Sequence, residues 1–267
     1  MNEKSLIVDF ANIMHRSYHV VPPQHRAASP PGGLYILYRT LNRLFREYPC
    51  PVIFALEGGK PTRKKLNEAY KSNRKPMEDY DEFKKQWRLA EKMLRDSGAT
   101  LWRIEGCEAD DLIGAWAKNN DCYIFSNDKD LDGLVRDESV KIIRTDRKGN
   151  LVEFSESDFK DKYEFNTKHF LMAKALLGDT SDNIKGIKGW GPKNIIRAIK
   201  NYNGDIEIMR KKGFGKVYDN LRQNWDVFQT NLEIFALQSD IVVDVSPTKM
   251  DMQIAKDFMT NLGMKEQ

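Results

Sequence analysis

Asp121-Cys122-Tyr123-Ile124-Phe125-Ser126-Asn127-Asp128-Lys129-Asp130 reads as a short apolar strand that delivers carboxylates where it ends. The arrangement recurs along the chain. Leu6-Ile7-Val8 ends at Asp9, Pro51 to Leu56 ends at Glu57, and Ala99 to Ile104 precedes the run Glu108-Ala109-Asp110-Asp111. Helical patterns such as Leu34 to Glu47 alternate with these runs, which argues for a mainly parallel sheet covered by helices. Open α/β sheets bind ligands at the carboxyl edge of their strands, so acids delivered by separate strands converge there on one site.

Like charges gathered at one place repel and raise one another's pKa, and bound cations relieve the repulsion. Hard oxygen donors point to Mg²⁺ or Mn²⁺, which complete their shells with water and substrate phosphate. Paired ions of this kind are a recurring device of nucleases and phosphatases, so the series suggests phosphodiester chemistry. A further acidic pair, Asp179 and Asp182, lies beyond a helical pattern that ends near Leu177.

Lys+Arg 43 against Asp+Glu 39 leaves a net charge of only +4, and the distribution says more. Lys60 to Lys75 and Lys185 to Lys216 are both strongly basic and flank the acids. They read either as two grips on a polyanion or as solvated helix faces. The three cysteines, Cys50, Cys107 and Cys122, lack disulfide density and CxxC spacing, and the four histidines are scattered, so zinc, thiol and histidine chemistry are not expected. No apolar run reaches membrane-spanning length and Met1-Asn2-Glu3-Lys4-Ser5 is too polar for a secretory signal, so a cytoplasmic protein with no membrane partner is expected.

Pro22 to Gly33 reads as a loop. Lys60 to Arg95 is polar, basic and helix-prone around Pro76, with Tyr70, Tyr80, Phe83 and Trp87 interleaved, and reads as a mobile insertion. Val140 to Phe154 looks like a hairpin around Arg147-Lys148-Gly149-Asn150, and helical patterns dominate from Ser155 onward. There Gly186-Ile187-Lys188-Gly189-Trp190-Gly191-Pro192-Lys193 joins two helical patterns. Its glycines permit close approach to a phosphate, with Pro192 opening a helix whose amide end attracts anions. A tight helix-helix turn without a ligand is the other reading.

Together these residues resemble the 5′-nucleases, a family that includes bacteriophage 5′ to 3′ exonucleases, the flap endonucleases and the 5′-nuclease domain of bacterial DNA polymerase I. The resemblance rests on Val8-Asp9-Phe10-Ala11-Asn12 with Arg16, on Arg63 followed by Tyr70-Lys71-Ser72-Asn73-Arg74, and on Gly106-Cys107-Glu108-Ala109-Asp110-Asp111. It continues with Ser126-Asn127-Asp128-Lys129-Asp130 and Gly178-Asp179-Thr180-Ser181-Asp182-Asn183-Ile184, in the family's order over nearly the whole chain. It implies an α/β fold with a mainly parallel, PIN-like nuclease core at residues 1–165, a helical arch at about 60–95, and a helical region at 166–267 with a helix-hairpin-helix motif at about 168–201. The compact phage-type enzymes are the nearest match, since no polymerase-sized extension follows.

Carried over residue by residue, the resemblance implies that Asp9, Glu108 and Asp110 hold a first metal while Asp128, Asp130, Asp179 and Asp182 serve a second, with Asp110 near both. Mg²⁺ is the expected ion, with Mn²⁺ able to substitute and K⁺ at the helix-hairpin-helix turn. Lys71 and Arg74 would contact the scissile phosphate, joining Asp9, Asp110 and Asp128 as catalytic residues, and Lys71 is expected to stay mobile until DNA orders its segment. Tyr70 would stack on a base, and Arg16, Arg63, Lys188, Gly189, Gly191 and Lys193 would meet the DNA backbone.

Glu57 stands where the family usually has Asp, and its longer side chain moves the carboxylate. It is expected either as a ligand or as a solvated loop acid. Asp111 either joins Glu108 as a ligand or supports the ligands from behind, and Asp132 stays ambiguous. The leading function is a monomeric, metal-dependent 5′ to 3′ exonuclease and flap endonuclease of replication or repair, acting by two metal ions on DNA with 5′ ends, flaps or branched junctions, and on RNA-DNA hybrids. A metal-dependent ribonuclease, RNase H-like or toxin-type, and a non-catalytic structure-binding protein are the alternatives. The glycine-rich turn and basic insertion argue against the first of these, and the near-complete carboxylate set argues against the second.

Overall fold

The structure, a computed structural model, describes residues 4–59, 62–73, 75–238 and 240–265, and the side chain of Thr62 lies outside the description. Strand β1 (Ser5–Asp9) is buried along its whole length. Its last residue caps helix α1 (Phe10–His19), Asp9 Oδ1 accepting from the Asn12 amide at 3.0 Å. The expected loop from Pro22 contains the short helix α2 (Pro23–Arg26), and α3 (Gly32–Glu47) leads into β2 (Val52–Ala55). There follow α4 (Tyr80–Asp96), β3 (Thr100–Trp102), α5 (Ala109–Asn119), β4 (Cys122–Phe125), β5 (Val140–Thr145) and β6 (Leu151–Phe154).

The strands form one sheet in the order β3-β2-β1-β4-β5-β6, and every neighbouring pair is parallel except the β5-β6 hairpin. Residues alternate between its faces. Leu6, Val8, Val52, Phe54, Phe125 and Ile143 enter a core built with α1, α3 and α4, while Ile7, Ile53, Ala55, Ile124 and Ile142 enter a second core built on α5. Burial on both faces is why these strands are apolar without interruption. The chain runs outward from β1 through β2 to β3 and then returns to β4 on the other flank of β1, so the order reverses between β1 and β4. The carboxyl ends of those two strands flank the crevice where such sheets bind ligands.

The expected insertion divides in two. A 3-10 turn at Thr62–Lys65 and further turns through Asn73 lie over the sheet edge, whereas α4 buries Phe83, Gln86, Ala90, Met93 and Leu94 against the core. That half of the segment packs one face on the core. Phe83, Trp87, Ala90 and Leu94 recur at helical spacing and give α4 its own apolar face.

Helix α6 (Glu156–Tyr163) packs Phe159 into the second core of the sheet, and α7 (Phe170–Leu177), α8 (Pro192–Tyr202), α9 (Ile206–Lys212), α10 (Lys216–Gln223) and α11 (Trp225–Phe235) make up the second half. Between α7 and α8 lies a two-stranded hairpin, β7 (Gly178–Asp179) and β8 (Ile184–Lys185). Its core gathers Leu176, Ile187, Trp190, Ile195, Met209, Leu221 and Phe228.

The chain does not end in that half. Val52 and Thr248 exchange backbone hydrogen bonds of 2.7 and 3.1 Å, and helix α12 (Met252–Asn261) puts Ala255 and Met259 into the core of α3 and α4. A region of 166–267 taken as one helical unit therefore overreaches at its end. Met259→Ala should cost about 2–5 kcal/mol of unfolding free energy, as for a fully buried side chain. Urea denaturation checks this, since a loosely attached tail would lose less than about 0.5 kcal/mol.

Candidate active site

Asp9, Glu57, Glu108, Asp110 and Asp128 line one cleft of about 540 Å³ at the carboxyl edge of the sheet. Arg16, Lys64 and Lys71 supply its cations, and His15 and Trp87 complete one wall. Local chemistry aims several of these groups. Asp9 Oδ2 accepts from Ser126 Oγ at 2.8 Å, joining the ends of β1 and β4, and Ser126 Oγ accepts from the Asp128 amide at 3.0 Å. Asn12 Oδ1 accepts from the Asn127 amide at 3.0 Å, and Asn127 in turn bonds both backbone groups of Thr145.

Burial sets the electrostatics. It pushes the Asp9 carboxyl up to about 6 despite hydrogen bonds from Asn12 and Ser126. Glu57 rises to about 7 through burial and then the charge of Glu108, and Asp110 to about 8 through burial that outweighs Arg63. Carboxylates so placed hold protons or cations, and an all-oxygen donor set suits a hard divalent ion. Glu57 thus lines the cleft with the other carboxylates despite its longer side chain.

A second group lies beside it. Asp130, Asp179 and Asp182 each place a carboxylate oxygen within 4.8 Å of the others, a separation one cation can bridge. Lys174 Nζ sits 2.5 Å from Asp130, and the Asp179 carboxyl lies below its ordinary value because bonds from Ser181 and the Asp182 amide outweigh its burial. Lys174 was not among the residues expected here, because a lysine in a helical pattern carries no local signal.

Three expectations are corrected, and of the two roles left open for Asp111 the ligand role is set aside. Arg63 does not face DNA: it is only 5% exposed, and its guanidinium donates to Glu108, to both oxygens of Asp111 at 2.6 and 3.0 Å, and to the carbonyls of Ile234 and Ala236. Burial opposes the Arg63 charge, but Asp110, Asp111 and Glu108 outweigh it and push its pKa up. Asp111 is fully buried and accepts from Arg63 and from the Glu108 and Gln238 amides, so it supports Glu108 from behind rather than entering the cleft. Tyr70 is buried with Ile184 and Ile234 and donates to Glu108 at 3.1 Å, so it has no free face for a base. Lys71, expected to be unpartnered without DNA, has partners in the structure: its Nζ is paired with Glu108 and its amide donates to the Asp182 carbonyl at 3.0 Å.

Asp132, left ambiguous by the sequence, is fully buried and held by Arg144, Lys162 and Tyr163. Arg16 lines the cleft and donates to the Thr145 carbonyl at 3.3 Å. Arg74 lies outside the described residues.

The glycine-rich turn stands on the helical half. Gly189 has φ +90, a conformation that favours glycine, and Trp190 is buried with Nε1 donating to the Val217 carbonyl at 3.0 Å. Lys188, Gly189 and Lys193 are exposed around the start of α8, where Gly191 is the N-cap.

Residues 4–164 match the family model described as the N-terminal resolvase-like domain of 5'-3' exonuclease, and residues 165–257 match its C-terminal SAM fold. The chain belongs to the 5′-3′ exonuclease family. It is 30% identical over 221 residues to a 5'-3' exonuclease of Halalkalibacterium halodurans, spanning 76% of this chain and 71% of that one. DNA polymerase I of Bacillus subtilis is 26% identical over 264 residues, 94% of this chain but 30% of the polymerase. The fold is shared with the bacteriophage T5 flap endonuclease crystallised with DNA and metal ions, at TM-score 0.70 and 19% identity over 97% of each chain. A 5′-3′ exonuclease is a hydrolase acting on DNA, and a divalent metal cofactor accords with the acidic clusters. Among the described residues no helix is long and apolar enough to cross a membrane.

Arg63→Met keeps much of the side chain's volume while leaving Asp111 buried without its cation and Glu108 with only Lys71 and Tyr70, which should cost about 3–5 kcal/mol at neutral pH. Burial raises the Glu108 carboxyl, but Lys71 and Arg63 outweigh it and hold it below its ordinary value. Its contribution is therefore present above the ordinary carboxylate pKa and lost as pH falls below it. Urea denaturation of both proteins across pH 3–8 should show a steady deficit above about pH 4.5 that shrinks only below it.

Proposed function

We propose that this 5′-3′ exonuclease hydrolyses DNA at 5′ ends and at flap or branched junctions, with two divalent ions, Mg²⁺ or Mn²⁺, held by its two acidic groups. The convergence of Asp9, Glu57, Glu108, Asp110 and Asp128 in one cleft, beside the trio Asp130, Asp179 and Asp182, carries this reading. The first group would hold one ion and the trio the other, so Asp128, expected from the sequence with the second ion, is placed in this proposal with the first because it lines the cleft beside Asp9 and Asp110. When bound, such ions supply Lewis-acid activation of a water and neutralise charge on the leaving oxygen.

The chain's own residues do the rest. Ser126 and the Asn12 amide occupy one lone pair on each oxygen of Asp9, which orients the carboxylate while leaving lone pairs free toward the cleft. Lys71 brings a cation to the cleft, where it can leave Glu108 for a phosphate oxygen and offset charge that develops in the transition state. Arg74 is proposed to act with it. The exposed turn at Lys188, Gly189 and Lys193 would hold duplex backbone without reading sequence, with K⁺ as a candidate ion there.

Asp128→Asn keeps the shape but removes a ligand charge. Cleavage of 5′-labelled flap DNA should fall by about two orders of magnitude or more, with DNA affinity retained, and EDTA should abolish the wild-type reaction. Single-stranded RNA serves as the comparison substrate, and its cleavage at the rate of flap DNA would overturn the assignment to DNA.

Lys71→Ala should slow single-turnover cleavage about 100-fold, roughly 3 kcal/mol, while changing affinity much less. Rates at saturating enzyme check it, since a mere surface charge would weaken binding and leave the bound-state rate intact.

A further inference from the structure

We propose that Asn183 is a positioning residue for Lys71, acting through a clamp that the β7-β8 turn places on the backbone of residues 69–73. The inference rests on the role given to Lys71 above and adds how its ammonium is held.

Lys71 has φ +57, a region that non-glycine residues enter only when their surroundings fix them there. The fixing groups come from the turn between β7 and β8. The Lys71 amide donates to the Asp182 carbonyl at 3.0 Å. Asn183 Nδ2 donates to the Ala69 carbonyl at 3.0 Å and to Ser72 Oγ at 3.1 Å, bracketing Lys71 on both sides. From the opposite direction, Asn73 Nδ2 donates to the Thr180 carbonyl at 3.0 Å. Asn183 itself has φ +59, where asparagine is better tolerated than most residues, so its amide can reach back across the gap.

The other side of the turn is equally tied down. β8 leads directly into Gly186, whose space is closed by the Leu177 carbonyl, and Asn231 Nδ2 donates to the Ala175 and Lys185 carbonyls at 3.0 and 2.9 Å. Lys71 and the glycine-rich turn are thereby mounted on one short rigid piece. A duplex seated on the turn and a scissile phosphate in the cleft would be held in fixed register, which is what a reaction sensitive to small misplacements needs.

Asn183→Gly keeps the backbone conformation and removes both donors. On 5′-flap DNA with Mg²⁺ it should slow single-turnover cleavage about 10-fold to 100-fold, with DNA affinity and the Mg²⁺ needed for half-maximal rate each changed less than about twofold. In a Lys71→Ala background the same substitution should add nothing, because a residue acting only through Lys71 has no effect once Lys71 is gone.

An equal loss in both backgrounds would overturn the proposal, and so would a raised Mg²⁺ requirement, which would assign Asn183 to the placement of Asp179 and Asp182. An unchanged rate in Asn183→Gly, with the Lys71→Ala defect present, overturns the clamp alone, whereas a full rate in Lys71→Ala removes the lysine's role and the clamp with it. If Asn183→Gly lacks a cooperative thermal transition, Asn73→Ala, on the other arm, decides by the same criteria.

Discussion

Arg63 carries its charge inside the protein, where an unpaired guanidinium would be costly, and the site depends on how that charge is met. Glu108 and Asp111 neutralise it from α5, and the carbonyls of Ile234 and Ala236 accept its remaining protons from the end of α11. Three segments distant in sequence are joined through one planar fork of donors, a geometry lysine could not reproduce. The 62–73 segment is thereby seated over the sheet edge, and Glu108 is presented to the cleft with Tyr70 and Lys71 as further partners. Buried ion pairs of this kind add little net stability, but each member becomes indispensable once the others are in place.

Acids concentrated at the carboxyl ends of parallel strands are the second constraint. Delivery from β1 and β4 at the reversal of strand order puts Asp9 and Asp128 together, with Glu57 arriving from the end of β2. Burial then raises Asp9, Glu57 and Asp110, and divalent ions are the natural counterweight. The helical half serves the same cleft from the other side. It contributes Asp179, Asp182 and Lys174, and its short hairpin carries two of the trio's acids and leads directly into the glycine-rich turn.

What the amino-acid sequence by itself determined was local. Apolar runs such as Leu6-Ile7-Val8 mark strands because burial on both faces demands continuous apolar residues, and Asp9 follows because a strand-to-helix junction favours a side chain that caps the helix. The acidic motifs and the glycine-rich turn were legible for the same reason, since spacing within a few residues carries their chemistry. The family followed from their order.

Tertiary structure decided which charges face inward. Arg63, Tyr70 and Lys71 lie in a polar stretch that reads as exposed, yet their partners stand 45, 48 and 171 residues away for Arg63 and 37 and 38 away for Lys71 and Tyr70. Spacing along the chain cannot register such partners. The same holds for Asp111, turned from the cleft by Arg63, for Lys174 on Asp130, and for α12, whose apolar face finds its core on α3 and α4. Whether a charged side chain binds substrate or supports the site is set by what packs against it, and that is fixed only when the chain has closed on itself.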